Sequence, residues 1–382
     1  MKIRILFILL LIIGKSAYSQ TDFLFNQYGY FRSMDKIVAL KSQDKLVDSS
    51  RFMQITQNEK KVNDSLIYNG QLNQFYIYGI NLSSIKTNGN YNLNSNGTSQ
   101  SILITKNPYS NLYQNLHAQI LKTVTDDITE ENFRQLLSLM YISFTDSVFS
   151  NNSLLVEKLL GHAATISTAL DDKTINKEKN IKTLLLASTC MSMASFAEQD
   201  FTAKRNRATL AMKLYIKAVE HNEITQNLDL KGTAAFQLYL IFKDPSHLKE
   251  LIHVLDKMTW PQDFKSEDMR LYFLLHFANV YNITDGFLVK NSEPGIHTEK
   301  NIISNTPKIY KQDQLIDYSL SSLYTFQAIK DVKYVKQLKA GLNYMSGLNI
   351  SGTNYFAEIL KSGSPSEKRK LLLLLNNISL MI

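Results

Sequence analysis

Three short patterns contain side chains that could carry out nucleophilic chemistry. Ser42 and Lys45 are three residues apart, and on a helix this spacing places a hydroxyl nucleophile beside an amine that could take its proton. A Tyr-x-Asn triplet at 113–115 and a Lys-Ser-Gly triplet at 361–363 follow in that order. The set could act only if the fold brings all three patterns together.

These patterns resemble the motif set of the penicillin-binding proteins and serine β-lactamases. The resemblance implies a nucleophilic Ser42 beside Lys45 and a Lys-Ser-Gly segment on a core strand. The surrounding sequence does not match this arrangement. The Lys-Ser-Gly segment falls between two predicted helices, where Gly363 would end the first, and Tyr113 lies on the apolar stripe of a helix. We therefore expect no catalytic role for Ser42, Lys45 or Lys361.

A second pattern could bind metal. Glu250 and His253 have the Glu-x-x-His spacing used by di-iron helical bundles. Such sites need a second copy of the pattern, and the sequence has none. Leu248, Leu251 and Leu255 define the predicted buried face of this helix, and Glu250 and His253 lie opposite it. The sequence therefore predicts a solvated face, and we assign no metal ligand and no cofactor-binding residue.

Two histidines lie among apolar residues. His276 is followed by Phe277, and His162 lies near Leu159 and Ile166. Neither has an obvious carboxylate partner in the sequence. A histidine on an apolar face is usually a hydrogen-bonded core residue, and a catalytic base is the alternative. We assign no catalytic residue on this basis.

Aromatic residues near the N-terminal end of the chain offer a different function. Their rings could stack on sugars, or they could form the core of strands and helices, which is the commoner use of such residues. The residues concerned are Tyr76, Tyr78, Tyr91, Tyr109 and Tyr113.

The N-terminus has the three-part pattern of a cleavable secretory signal. Lys2 and Arg4 precede an apolar run at 5–13, and small residues at Ala17 and Ser19 occupy the −3 and −1 positions. The sequence therefore predicts a signal peptide at residues 1–19 and export to the periplasm or the exterior. The residue after the signal is not a cysteine, so we do not expect an N-terminal lipoprotein.

Composition excludes several classes. The chain has 42 basic and 34 acidic residues, which are scattered rather than clustered, so we expect no nucleic-acid partner. Cys190 is the only cysteine, and an intramolecular disulfide is therefore impossible. Beyond the signal, no apolar run is long enough to cross a membrane.

The hydrophobic period changes near residue 107. Residues 20–106 alternate and contain Asn-Gly turns, which predicts a small β-rich region, with strands near 74–82 and 101–105. Residues 107–382 have helical periodicity. A long loop at 284–312 interrupts it, and we expect this loop to face a partner.

The sequence therefore predicts a mostly α-helical fold. Short gaps favour antiparallel helical hairpins, arranged as an irregular helical-repeat array or a bundle, with a small N-terminal β-rich region. This architecture favours an exported scaffold that binds another envelope or extracellular protein, rather than an enzyme. Two alternatives stay open: an envelope enzyme whose site is not visible as a sequence motif, and a glycan-binding module that uses the N-terminal aromatic residues.

Overall fold

The computed structural model describes residues 21–47, 51–58, 60–72, 74–144, 153–178, 180–220, 227–257, 312–329, 331–349 and 351–381. The predicted signal peptide at 1–19, His276 and residues 284–311 of the predicted loop lie outside the described residues. The described parts of Met1–Asn111 and Ala340–Glu358 form one compact unit. A second compact unit consists of the described parts of Leu112–His297, Tyr310–Lys339 and Ile359–Ile382.

The first unit contains nine strands in its described residues. They are β1 (Thr21–Leu24), β2 (Tyr30–Phe31), β3 (Ile37–Ser42), β4 (Phe52–Gln57), β5 (Lys60–Ser65), β6 (Ile67–Leu72), β7 (Phe75–Asn81), β8 (Gly89–Ser95) and β9 (Thr98–Thr105). One sheet has the order β1-β3-β7-β6 and the other β2-β9-β8-β4-β5. The pairings are antiparallel except that of β2 with β9.

The two sheets pack face to face as a sandwich. Alternate residues of β3, β4, β7, β8 and β9 point into the space between the sheets, as the two-residue period of a strand requires. The shared core includes Val38, Leu40, Met53, Ile55, Tyr78, Ile80, Leu93, Ile102 and Ile104. The strands expected near 74–82 and 101–105 are present as β7 and β9. The other strands join them to make a two-sheet sandwich, which is more than the small region predicted.

The second unit is helical, and the first two residues of its first helix, Ser110 and Asn111, are counted with the first unit. The described helices are α1 (Ser110–Thr123), α2 (Glu130–Phe144), α3 (Ser153–Ala169), α4 (Asp172–Lys177), α5 (Ile181–Ala197), α6 (Phe201–Val219), α7 (Leu228–Phe242), α8 (Pro245–Lys257), α9 (Gln312–Ile329), α10 (Val332–Met345), α11 (Tyr355–Ser362) and α12 (Pro365–Met381). The last residues of α10 and the first of α11 belong to the first unit.

The helices are of two kinds. Helices α2, α5, α7 and α12 contain long stretches that are buried on every side. The α5 helix illustrates the reason, because its small residues let neighbours approach closely: Ser188 donates a hydrogen bond to the carbonyl of Ala211 at 2.8 Å, and Ser195 donates one to that of Lys204 at 2.9 Å. Helices such as α1, α6 and α8 bury one face and expose the other.

The four buried helices and α9 contact one another although they are not consecutive in sequence, and we call the five the inner series. In the described residues, α9 contacts α12, α12 contacts α2, α2 contacts α5, and α5 contacts α7. Helices α3, α6 and α8 pack against this inner series from the side. A helix that is apolar on all sides needs neighbours on all sides, and two layers of helices supply them.

This arrangement corrects the predicted fold class. The sequence predicts antiparallel hairpins in an irregular repeat array or a bundle, and that prediction is wrong. Short connections do place consecutive helices side by side, but the inner series is built from every second or later helix. The sequence does not show which non-consecutive helices meet. Among the described residues, no helix is both long enough and apolar enough to cross a membrane.

Candidate functional site

The loop between α1 and α2 presents two adjacent carboxylates, and a buried asparagine holds its shape. The Asn132 side chain accepts a hydrogen bond from the Thr125 amide at 2.9 Å and donates to the carbonyls of Thr125 at 2.7 Å and Asp127 at 2.9 Å. The Thr129 hydroxyl accepts from the Asn132 amide at 3.2 Å and caps α2. The loop is therefore tied to the helix that follows it.

Asp126 in this loop pairs with a histidine from another helix. Its Oδ1 atom lies 2.7 Å from Nδ1 of His162 on α3, with the carboxylate 48% exposed and the imidazole 19% exposed. A carboxylate on Nδ1 fixes the orientation of the ring and directs Nε2 away from the pair. Asp126 and His162 therefore form a unit able to accept or pass a proton.

The neighbouring carboxylate, Asp127, also faces solvent. Asp127 is exposed, and its Oδ2 atom accepts a hydrogen bond from the Thr125 hydroxyl at 2.9 Å. This hydroxyl fixes one oxygen of the Asp127 carboxylate. The other oxygen can approach a bound water or a substrate hydroxyl.

More charged residues lie at the start of α2. Arg134 donates to Glu130 through Nε at 3.1 Å and through Nη2 at 2.7 Å. The Glu131 carboxylate accepts from Gln135 at 3.0 Å and also from Arg369 on α12. The Arg369 side chain is only 2% exposed, so it reaches Glu131 from inside the helical unit.

Lys370, the residue after Arg369 on α12, forms an ion pair with a different helix. Lys370 lies 2.9 Å from Asp317 on α9, whereas Arg369 contacts Glu131 on α2. Consecutive residues of a helix point about 100° apart, so α12 can reach both neighbours from one turn. The first two turns of α2, α9 and α12 are therefore adjacent, and their N-terminal ends lie on the same side of the unit.

The first turn of α12 carries one further carboxylate. Glu367 accepts hydrogen bonds from the Ser364 amide at 2.7 Å and from its hydroxyl at 2.8 Å. The Ser364 hydroxyl in turn accepts from the Glu367 amide at 3.2 Å, which completes a capping box. Both bonds from Ser364 go to Oε2 of Glu367, and the side chain is partly exposed.

Together these residues place several carboxylates at one end of the inner helices. Paired carboxylates suit general acid–base catalysis, in which one activates a water and the other protonates a leaving group. In the described part of the chain, no cluster of three or more His, Cys, Asp or Glu residues could hold a metal ion.

The structure places the Ser-x-x-Lys, Tyr-x-Asn and Lys-Ser-Gly patterns on separate elements. Ser42 ends strand β3, is fully buried and donates to the Asp44 carbonyl at 2.7 Å, while Lys45 is exposed in the turn that follows. This serine and lysine are therefore not neighbours on a helix. Tyr113 is buried on α1, and Lys361 is exposed near the end of α11.

The structure also places the residues of the other sequence patterns. Glu250 forms an interhelical ion pair with Lys231, and His253 is exposed on α8. Of the five aromatic residues that could stack on sugars, Tyr76 is partly buried. The other four lie in the core; they are Tyr78, Tyr91, Tyr109 and Tyr113.

Sequence reasoning missed the carboxylate–histidine pair. The sequence around His162 shows no carboxylate partner, yet Asp126 lies 36 positions before it and binds it. One signal was available: two adjacent aspartates immediately before a capped helix, with an asparagine in its first turn. That pattern indicates a structured acidic loop, although it does not reveal the histidine.

Comparisons with known proteins show similarity of fold and none of sequence family. No family model matches the sequence, and no curated protein matches it. Among solved structures, the chain is similar to a glycoside hydrolase family 9 protein from Bacteroides ovatus (TM-score 0.59, 13% identity, 87% of this chain and 85% of that chain covered). It is also similar to a metagenome-derived family 9 endoglucanase (TM-score 0.61, 12% identity, 88% and 85% covered).

A thermostable endoglucanase from Alicyclobacillus acidocaldarius is similar to the same degree (TM-score 0.60, 11% identity, 87% and 83% covered). These similarities overturn the helical-repeat prediction, and they contradict the scaffold hypothesis, which rested on that architecture. At this identity they show the fold alone. The chain has an α/α barrel-type fold with an N-terminal β-sandwich, as these glycoside hydrolases do.

Proposed function

We propose that the protein is a glycoside hydrolase that cleaves a β-linked polysaccharide or oligosaccharide. The observation that carries the proposal is the fixed loop with Asp126 and Asp127 at the N-terminal end of the inner helices. The similarity of the whole fold to that of endoglucanases supports a β-linked glycan as the substrate class. The predicted signal peptide at 1–19 agrees with such a substrate, because polymeric glycans are met outside the cytoplasm.

Asp127 is the candidate general base. It is exposed, and its single hydrogen bond from Thr125 leaves the second oxygen able to accept a proton from water. Asp126 is the candidate for orienting that water or a sugar hydroxyl, since His162 holds one of its oxygens. The imidazole can also supply positive charge when it is protonated, and so balance the two adjacent aspartates.

Glycoside hydrolysis needs a second carboxyl group to protonate the leaving oxygen. Glu367 is our candidate, because α12 starts beside α2 and Glu367 stands in its first turn. The capping box engages only Oε2, so Oε1 can carry the proton. Glu131 is less suited to this role, because its carboxylate already pairs with the buried Arg369 and accepts from Gln135.

Release of reducing ends from a panel of polysaccharides tests the proposal. The panel should contain carboxymethylcellulose, mixed-linkage β-glucan, xylan and mannan, each incubated with the purified chain from residue 20 onward. We expect hydrolysis of at least one β-glucan, with loss of activity in Asp127→Asn. If no polysaccharide of the panel is hydrolysed but affinity electrophoresis shows binding, the hydrolase proposal is wrong and the protein is a glycan-binding protein instead.

A further inference from the structure

The Asn132 side chain uses both of its amide hydrogens and its carbonyl oxygen on one loop. The oxygen accepts from the Thr125 amide, and the two N–H groups donate to the carbonyls of Thr125 and Asp127. Asn132 is 4% exposed. A buried amide whose hydrogen bonds all go to one short segment constrains that segment strongly, because each lost bond would leave a buried polar group without its partner.

These bonds flank Asp126 on both sides. Thr125 is held through its amide and carbonyl, and Asp127 is held through its carbonyl. The backbone of Asp126 therefore has little rotational freedom, and its carboxylate stays directed at Nδ1 of His162. The two hydrogen bonds between Asn132 and Thr125 also position Thr125, whose hydroxyl donates to Asp127.

We propose that Asn132 is a positioning residue that sets the geometry of both candidate catalytic carboxylates without contacting a substrate. The catalytic consequence rests on the proposed hydrolase function, whereas the effect on the loop does not. The start of α2 does not need the Asn132 side chain, because the Thr129 hydroxyl caps the helix by accepting from the backbone amide of Asn132. The three side-chain bonds to residues 125 and 127 serve the loop instead.

Two substitutions separate these roles. Asn132→Asp keeps the shape and the acceptor but removes both donors and places a negative charge beside two carbonyls. Asn132→Ala removes all three bonds. Leu238→Ala is the control, because Leu238 is fully buried on α7 and its truncation destabilises the helical unit without touching the loop.

Hydrogen exchange detected by mass spectrometry reports on the loop directly. We expect exchange of the peptide that contains residues 124–129 to accelerate about tenfold or more in both Asn132 variants, with α7 unchanged. Leu238→Ala should accelerate α7 and leave this peptide as in the wild type. Wild-type protection of the loop in Asn132→Ala would overturn the proposal.

Steady-state kinetics on the best substrate of the panel gives the second readout. We expect kcat to fall roughly 100-fold in Asn132→Ala while KM changes little, because small misplacements of catalytic groups have effects of this size. A kcat no lower than that of Leu238→Ala would refute the positioning role. If the wild type hydrolyses no glycan, the proposed function fails, and the exchange experiment alone decides whether Asn132 orders the loop.

Discussion

The Nδ1 atom of His162 lies 2.7 Å from Oδ1 of Asp126, and 36 positions separate the two residues in the sequence. The pair joins α3 to the loop before α2, so it links an outer helix to the inner series. Asp126 is half exposed, and its charge is therefore accessible to a ligand. An imidazole held in this way can orient a carboxylate and exchange protons with it.

Replacing the histidine should affect catalysis more than stability. We expect His162→Ala to lower kcat on the best glycan substrate about tenfold or more, because Asp126 loses the partner that orients it. His253→Ala is the matched control, since His253 is exposed on α8 away from this loop, and it should leave kcat unchanged. Equal kcat values for the two variants would show that His162 has no role in the site.

The ion pair between Arg369 and Glu131 should couple α12 to α2. Arg369 is buried and Glu131 is half exposed, so solvent screens part of their attraction. We expect a double-mutant cycle of Glu131→Gln and Arg369→Met to give a coupling of about 1 kcal/mol in the free energy of unfolding. Urea denaturation measures it, and additive effects of the two substitutions would exclude coupling.

Glu198 should contribute to stability at neutral pH and not in acid. Burial alone would raise the pKa of Glu198, but hydrogen bonds from the Asp200 amide and the Arg207 guanidinium outweigh it, and the pKa is lowered. The unfolded chain then binds this proton at a higher pH than the folded chain does. Stability from Glu198 is therefore present above the unfolded pKa of about 4.3 and is lost as the pH falls further.

Urea unfolding at pH 7 and pH 3.5 tests this prediction. Glu198→Gln should be less stable than the wild type at pH 7, by an amount on the order of 1 kcal/mol. The difference should shrink at pH 3.5. A difference that stays constant between the two pH values would mean that ionisation of Glu198 is not responsible.

Cys190 should be inert in the folded protein. Burial raises the pKa of its thiol to about 12, and its Sγ atom lies 3.8 Å from Sδ of Met140. The reactive thiolate is therefore scarce below that pH, and reagents cannot reach it. We expect a maleimide at pH 8 to label Cys190 only after denaturation. Rapid labelling of the native protein would contradict the packing of α5 described above.

Several local features follow directly from local sequence. Thr129 caps α2, Pro245 begins α8, and Ser364 and Glu367 form a capping box. The small residues of α5 let it lie buried on all sides. Each of these features depends on residues a few positions apart, whose chemistry acts within one turn of a helix.

Long-range features could not be predicted in the same way. The pairing of β3 with β7 and that of β4 with β8 join strands that are not consecutive in the chain. The contact of α2 with α12 joins residues 238 positions apart. The site shares this origin, because Asp126 and His162 meet only once α3 packs beside the loop. Propensity and periodicity do not specify which distant segments meet.

Hydrolysis of a soluble β-glucan by the wild type and by Asp127→Asn tests the central claim most directly. The substitution keeps the size of the side chain and removes its basicity, so the fold should be retained, as circular dichroism and the melting temperature can verify. We predict measurable release of reducing ends by the wild type and a loss of kcat of about 100-fold or more in the variant. Wild-type turnover by a correctly folded Asp127→Asn protein would contradict the account.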